Sequence, residues 1–170
     1  MESFCKFVPL PKIDFYHIIW NLFLTDRDSD LSLDDLTSNN IHLVVTIMPP
    51  ERFDEYRQKL LSDYKKIEVY NMFYNGHNMT LTEEMIDDYE LVCNKLLSLQ
   101  QRRRNAIICC NNGYQRSLPF LCYYLTKYHN DEVPNYTKAL DIILPQVCPK
   151  DYITKKDSIL ESTTKILEQH

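Results

Sequence analysis

The chain has 170 residues, 44% of them hydrophobic and 25% charged, with a formal net charge of −5. That balance is globular rather than disordered. The acidic excess argues against a nucleic-acid module, and no apolar run reaches the ~18 residues needed to span a bilayer. Glycine occurs only at Gly76 and Gly113, where average usage near 7% would supply about a dozen. This excludes Gly-rich dinucleotide fingerprints, Walker-type loops and flexible Gly/Ser linkers.

The length suits one domain over residues 1–170, with room for a sizeable core. The start, Met1-Glu-Ser-Phe-Cys-Lys, has no basic region followed by an apolar stretch, so a cytoplasmic protein is expected. Cys5, Cys93, Cys109, Cys110, Cys122 and Cys148 show no paired C-x-x-C spacing; reduced thiols fit better than a zinc cage or a disulfide framework.

In chain order, Ile18 to Leu24 reads as a strand or strand pair, and the polar stretch from Asp26 to Asn40 as a short helix or turn. Ile41 to Ile47 is β-branched and nearly uninterrupted, the pattern of a strand buried on both faces. Pro49-Pro50 opens a charged helix from Glu51 to Tyr64, and Ile67 to Phe73 alternates as a half-buried strand. Thr80-Leu-Thr-Glu83 has the form of a capping box, and the helix after it carries Met85, Ile86, Tyr89, Val92, Cys93, Leu96 and Leu97 at helical spacing. Ala106 to Cys110 is another apolar strand, followed by helices at Ser117 to Tyr128, Pro134 to Leu144 and Ile153 to Glu168. Strands alternating with helices predict an α/β fold, a mainly parallel central sheet flanked by helices. Ligands bind such sheets beyond the carboxyl ends of the strands, and each glycine follows a different strand there.

The chemistry concentrates in Ile107-Ile-Cys-Cys-Asn-Asn-Gly-Tyr-Gln-Arg-Ser117, a strand, a turn and a helix start. The five residues between Cys110 and Arg116 allow the chain to curl into a cradle with the Cys110 thiol at its base. Amides of the loop and of the helix start then converge on one anion, and Gly113 permits the backbone angle that turns them inward. Arg116 can fork onto two phosphate oxygens. The same positive field favours the Cys110 thiolate, the nucleophilic form, and the Ser117 hydroxyl can donate to its sulfur. The expected chemistry is attack on phosphorus through a phosphocysteine intermediate, with no metal or other cofactor.

Cys110-x5-Arg116-Ser117 resembles the phosphate-binding loop of the cysteine-dependent protein tyrosine phosphatases. The short chain and the order of its elements are similar to the dual-specificity branch, including compact viral members of poxvirus and baculovirus type, among them a second baculovirus phosphatase type. The resemblance implies a protein tyrosine phosphatase-like fold and a phosphoprotein substrate in an intracellular setting, the host cell if viral. Cys110 would be the nucleophile and Arg116 the phosphate-binding residue. Asn111, Asn112, Gly113, Tyr114, Gln115 and Arg116 would supply the cradle, which phosphate or sulfate could occupy. Neither a membrane nor a nucleic acid is an expected partner.

The chain departs from the family pattern twice. Histidine usually precedes the nucleophile, whereas here Cys109 does, and strand alternation turns Cys109 to the face opposite Cys110. The family also carries an acidic aspartate about thirty residues before the nucleophile; the corresponding loop here, Tyr74-Asn-Gly-His-Asn-Met79, has no carboxylate. Asp87 and Asp88 lie too far into the helix to replace it. His77 is the candidate proton donor, since an imidazole with a pKa near ~6.5 is a competent acid. A pseudophosphatase that binds phosphate without efficient turnover is the alternative. An RNA 5′-triphosphatase is a third reading, disfavoured by the acidic chain and the uncharged cradle. Arg102, Arg103 and Arg104 precede the Cys110 strand, about 20 Å from its far end, and read as a solvated surface run.

Overall fold

The computed structural model describes residues 7–9, 14–19, 21–25, 33–48, 51, 53–54, 67–72, 81–109 and 116–168. Among the described residues, six strands form one sheet: β1 (Phe7–Pro9), β2 (Asp14–Ile19), β3 (Leu22–Thr25), β4 (Ile41–Thr46), β5 (Glu68–Asn71) and β6 (Asn105–Cys109), in the order β1-β2-β3-β6-β4-β5. The longer helical runs among these residues are α1 (Leu33–Ser38), α2 (Glu83–Gln101), α3 (Ser117–Tyr128), α4 (Tyr136–Val147) and α5 (Pro149–Glu168). β3, β6, β4 and β5 run parallel, while β1 and β2 add an antiparallel flank. The expected α/β architecture is therefore present, and Ile18 to Leu24 is a strand pair joined by a tight turn at Asn21.

The core explains the apolar strands. β4 and β6 are inner strands and bury residues on both faces. One face, with Phe23, Val44, Ile107 and Cys109, packs against Leu36 of α1. The other, with Leu24, Val45 and Ile108, meets α2, α3 and α4. On α2, the stripe Met85, Tyr89, Val92, Cys93 and Leu96 is buried, with Ile86 and Leu97 packed at its margins. Phe120 of α3 is fully buried, edge-on to Tyr89 at 5.2 Å and stacked on Tyr124 at 6.3 Å.

The boundaries differ from expectation in informative ways. α2 is capped by Thr82, whose hydroxyl accepts from the Met85 amide at 3.3 Å, so the cap lies two residues beyond the Thr80 of the expected box. Burial of Leu81 in the core cluster on which Ile86 also packs sets that entry point, in the manner of a hydrophobic staple. α4 and α5 begin at Tyr136 and Pro149 rather than at Pro134 and Ile153. Glu51, Phe53 and Asp54 are helical, as the charged helix predicts; its continuation to Tyr64 lies outside the described residues.

The arginine run does structural work that its charge does not advertise. The Arg103 amide donates to the Gln100 carbonyl at 3.1 Å and the Arg104 amide to the Leu99 carbonyl at 2.9 Å. These are the paired bonds of a Schellman helix end, with Arg103 at the left-handed position, φ 56°. Asparagines then bind the run to the amino ends of the strands: the Asn21 amide donates to the Arg104 carbonyl at 2.8 Å and the Asn40 amide to the Arg103 carbonyl at 3.2 Å. All three arginines are exposed, at the end of the sheet opposite Cys109.

Candidate active site

Parallel register aligns Thr25, Cys109, Thr46 and Asn71 in one row across the carboxyl ends of β3, β6, β4 and β5. β6 lies inside the sheet, so its end at Cys109 sits at the middle of this edge, where α/β sheets form their ligand crevices. Cys109 is buried toward the α1 face, as alternation requires. The next residues, Cys110, Asn111, Asn112, Gly113, Tyr114 and Gln115, lie outside the described residues, as does His77.

The chain is described again at Arg116, whose backbone is helical (φ −81°, ψ −31°) and leads directly into α3. Ser117 is fully buried, and Pro119 fits the first turn of α3, where no helical N–H is needed. A guanidinium has no acceptor, and Arg116 makes no side-chain cap to the first-turn amides. The Arg116 side chain is half-buried and turns toward the end of β4, where Nη1 donates to the Ile47 carbonyl at 3.5 Å. Of the sequence-predicted residues, Arg116 and Ser117 thus occupy the helix start beside the carboxyl edge.

A second group at this edge was not legible in the sequence. The Asn71 carboxamide Oδ1 accepts from the Thr46 hydroxyl at 2.8 Å and from the Met48 amide at 3.0 Å. Its Nδ2 donates to the Met48 carbonyl at 2.9 Å. The Met72 amide adds a bond to the Thr46 carbonyl at 2.8 Å. Asn71 therefore continues the β4–β5 ladder with its side chain after the strands have ended, pinning both neighbours of Ile47.

Asp87 and Asp88, the carboxylates expected to be remote from the chemistry, both lie on α2. Asp88 Oδ1 accepts from the Tyr70 hydroxyl at 2.6 Å, and Asp87 is exposed on α2. Partial burial, then the bond to Asp88 and its charge, push the Tyr70 phenol up to about 12. Among the described residues, no group of three or more His, Cys, Asp or Glu could hold a metal ion, and no helix is long and apolar enough to cross a membrane.

No protein-family model and no curated protein matches the chain. Solved structures do. Human DUSP28 aligns with a TM-score of 0.55 at 13% identity, over 91% of this chain and 96% of that one. Kinase associated phosphatase with its catalytic-site cysteine substituted by serine aligns at 0.59 and 18%, over 88% of each chain. Tk-PTP in its active form aligns at 0.57 and 12%, over 95% of this chain and 100% of that one. Dual-specificity and tyrosine phosphatases are thus the structural neighbours, and the chain has the protein tyrosine phosphatase-like α/β fold.

Proposed function

We propose that this protein is a cysteine-dependent phosphatase acting on phosphotyrosine proteins, with phosphoserine and phosphothreonine proteins as further substrates. The observation that carries the reading is Cys110-x5-Arg116-Ser117 spanning the β6–α3 junction, in a fold shared with phosphatases. In this reading the Cys110 thiolate attacks phosphorus; an S–P bond forms and the bond to the leaving oxygen breaks. Arg116 and the amides of residues 111–116 hold the equatorial oxygens, and their positive field stabilises the charge that develops there. Ser117 donates to the sulfur, supporting it first as nucleophile and then as leaving group. Water then attacks the phosphocysteine, releasing inorganic phosphate and restoring the thiolate. The narrower likeness to compact viral phosphatases, the baculovirus type included, rests on chain length and element order and belongs to this proposal.

The proton for the leaving oxygen is assigned to His77. The loop from Tyr74 to Met79 holds no carboxylate, and Asp88 is engaged by Tyr70. A general acid is worth roughly 10²–10⁴ in rate, and an aryl oxide depends less on that proton than an alkoxide does. Turnover should therefore favour aryl phosphates. The same observation favours a second reading, a pseudophosphatase that binds phosphorylated proteins with little turnover.

Steady-state hydrolysis of an activated aryl phosphate and of a phosphotyrosine peptide separates the two. Cys110→Ser is expected to abolish turnover of both substrates, and the wild type to hydrolyse the aryl phosphate faster. Turnover that survives Cys110→Ser would remove the phosphocysteine route; binding of phosphopeptide without turnover would establish the second reading. For His77, the expected signature is a pH limb near the histidine range on the peptide substrate that disappears in His77→Ala. An identical pH profile in that variant would exclude it as the donor.

A further inference from the structure

We infer that Asn71 is a positioning residue for phosphate binding, acting on Arg116 through the backbone between Thr46 and Met48; this rests on the phosphatase reading above. β5 ends its backbone pairing with β4 at Thr46 and Asn71. Beyond that point a segment would ordinarily follow its own loop geometry. Here the Asn71 carboxamide takes over the ladder, receiving the Thr46 hydroxyl and the Met48 amide on Oδ1 and donating Nδ2 to the Met48 carbonyl. The residues on either side of Ile47 are thus held by side-chain bonds of 2.8, 3.0 and 2.9 Å. The direction of the Ile47 carbonyl follows, because it shares one planar trans peptide unit with the Met48 N–H that Asn71 Oδ1 holds, and points opposite to it.

That carbonyl is the acceptor toward which Arg116 Nη1 points, at 3.5 Å. A guanidinium is a rigid planar fork with five donors, so engaging one nitrogen orients the others. Phosphate recognition by arginine depends on that orientation, since two parallel bonds must meet two oxygens together. Asn71 thereby supports the arginine without touching the phosphate. Few side chains can do this: aspartate lacks the donor for the Met48 carbonyl, and glutamine is one methylene too long for the same three contacts. Burial of Ile47 and Met48 beside it keeps water from replacing the lost bonds.

The test is a double-mutant cycle read by calorimetric binding of tungstate, a tetrahedral oxyanion that needs no turnover. Asn71→Ala is expected to weaken tungstate binding roughly fivefold to tenfold in the wild-type background. In an Arg116→Lys background, where no fork remains to be aligned, the same substitution should change affinity by less than about twofold. Equal losses in both backgrounds would overturn the inference, because a loss of general stability does not depend on which cation residue 116 carries. Thr46→Val removes one of the three clamp bonds in an isosteric side chain, and keeps the test open should Asn71→Ala fail to fold. A loss of about twofold to threefold is expected for it, again confined to the Arg116 background, and no loss would count against the clamp. Aryl phosphate turnover measured on the same samples keeps the two proposals apart. Tungstate binding with the expected coupling but no turnover removes the phosphatase reading alone; turnover without coupling removes the Asn71 inference alone.

Discussion

Glu90, on α2, receives hydrogen bonds from Tyr123, Lys127 and Tyr128, all on α3. Partial burial pushes its carboxyl up, but the bonds from Lys127, Tyr123 and Tyr128 and the Lys127 charge outweigh it and bring the pKa down to about 2. A carboxyl whose folded value lies below its ordinary 4.5 contributes stability that is complete above 4.5 and fades as pH falls toward about 2. Glu90→Gln is therefore expected to lower the urea midpoint at neutral pH, with the gap from wild type closing across that acid window. A gap of the same size at the acid end would show that Glu90 acts through packing rather than charge. The Tyr128 phenol beside it is pushed up to about 12, by burial first and then by the Glu90 carboxylate.

Among the elements, α2 shows best how ends are chosen. Its Thr82 cap satisfies one first-turn amide, and Thr82→Ala should cost about 1 kcal/mol in urea or thermal unfolding. The other end carries the less expected feature: Arg103 takes the left-handed position that glycine commonly fills. A side chain there costs roughly 1–2 kcal/mol, of which the greater freedom of glycine in the unfolded chain offsets a part. Arg103→Gly is thus expected to raise stability by about 0.5–1 kcal/mol. An unchanged or lower unfolding midpoint would mean that the arginine side chain compensates for the strain. Positions that favour glycine are thus not reserved for it in this protein: Asn40, also at φ 56°, fills the corresponding turn after α1.

For the molecule as a whole, α3 joins the core to the candidate site. Its first turn holds Arg116 and Ser117 beside the sheet edge, and Phe120 lies buried between Tyr89 and Tyr124. Phe120→Ala should cost about 3–5 kcal/mol, a large share of the 5–15 kcal/mol typical of a domain. Because the helix start is seated by that packing, tungstate affinity should fall in the folded variant as well. Full tungstate affinity in a Phe120→Ala protein shown by circular dichroism to be folded would mean that the cradle is held independently of the α3 core.

Much of this arrangement was written in local pattern. β4, β6 and the buried stripe of α2 follow from burial on two faces or on one, which leaves a period in contiguous residues. The Cys110-x5-Arg116-Ser117 spacing was legible as well, since a loop of the kind proposed would draw its groups from a single short run. The Asn71 clamp and the Glu90 cluster have no such trace: their partners lie 23 to 38 residues away, and an asparagine or glutamate looks the same in sequence whether it faces solvent or a neighbouring strand. The helix end at Arg103 was hidden too, because its strain shows only in the backbone angle that the asparagine contacts at the sheet's amino edge help to hold. Local periodicity settled which elements form, and spacing singled out the run proposed to bear the chemistry. The tertiary fold decided which polar groups meet, because directional bonds depend on register and chain crossing, and neither is encoded within a single segment.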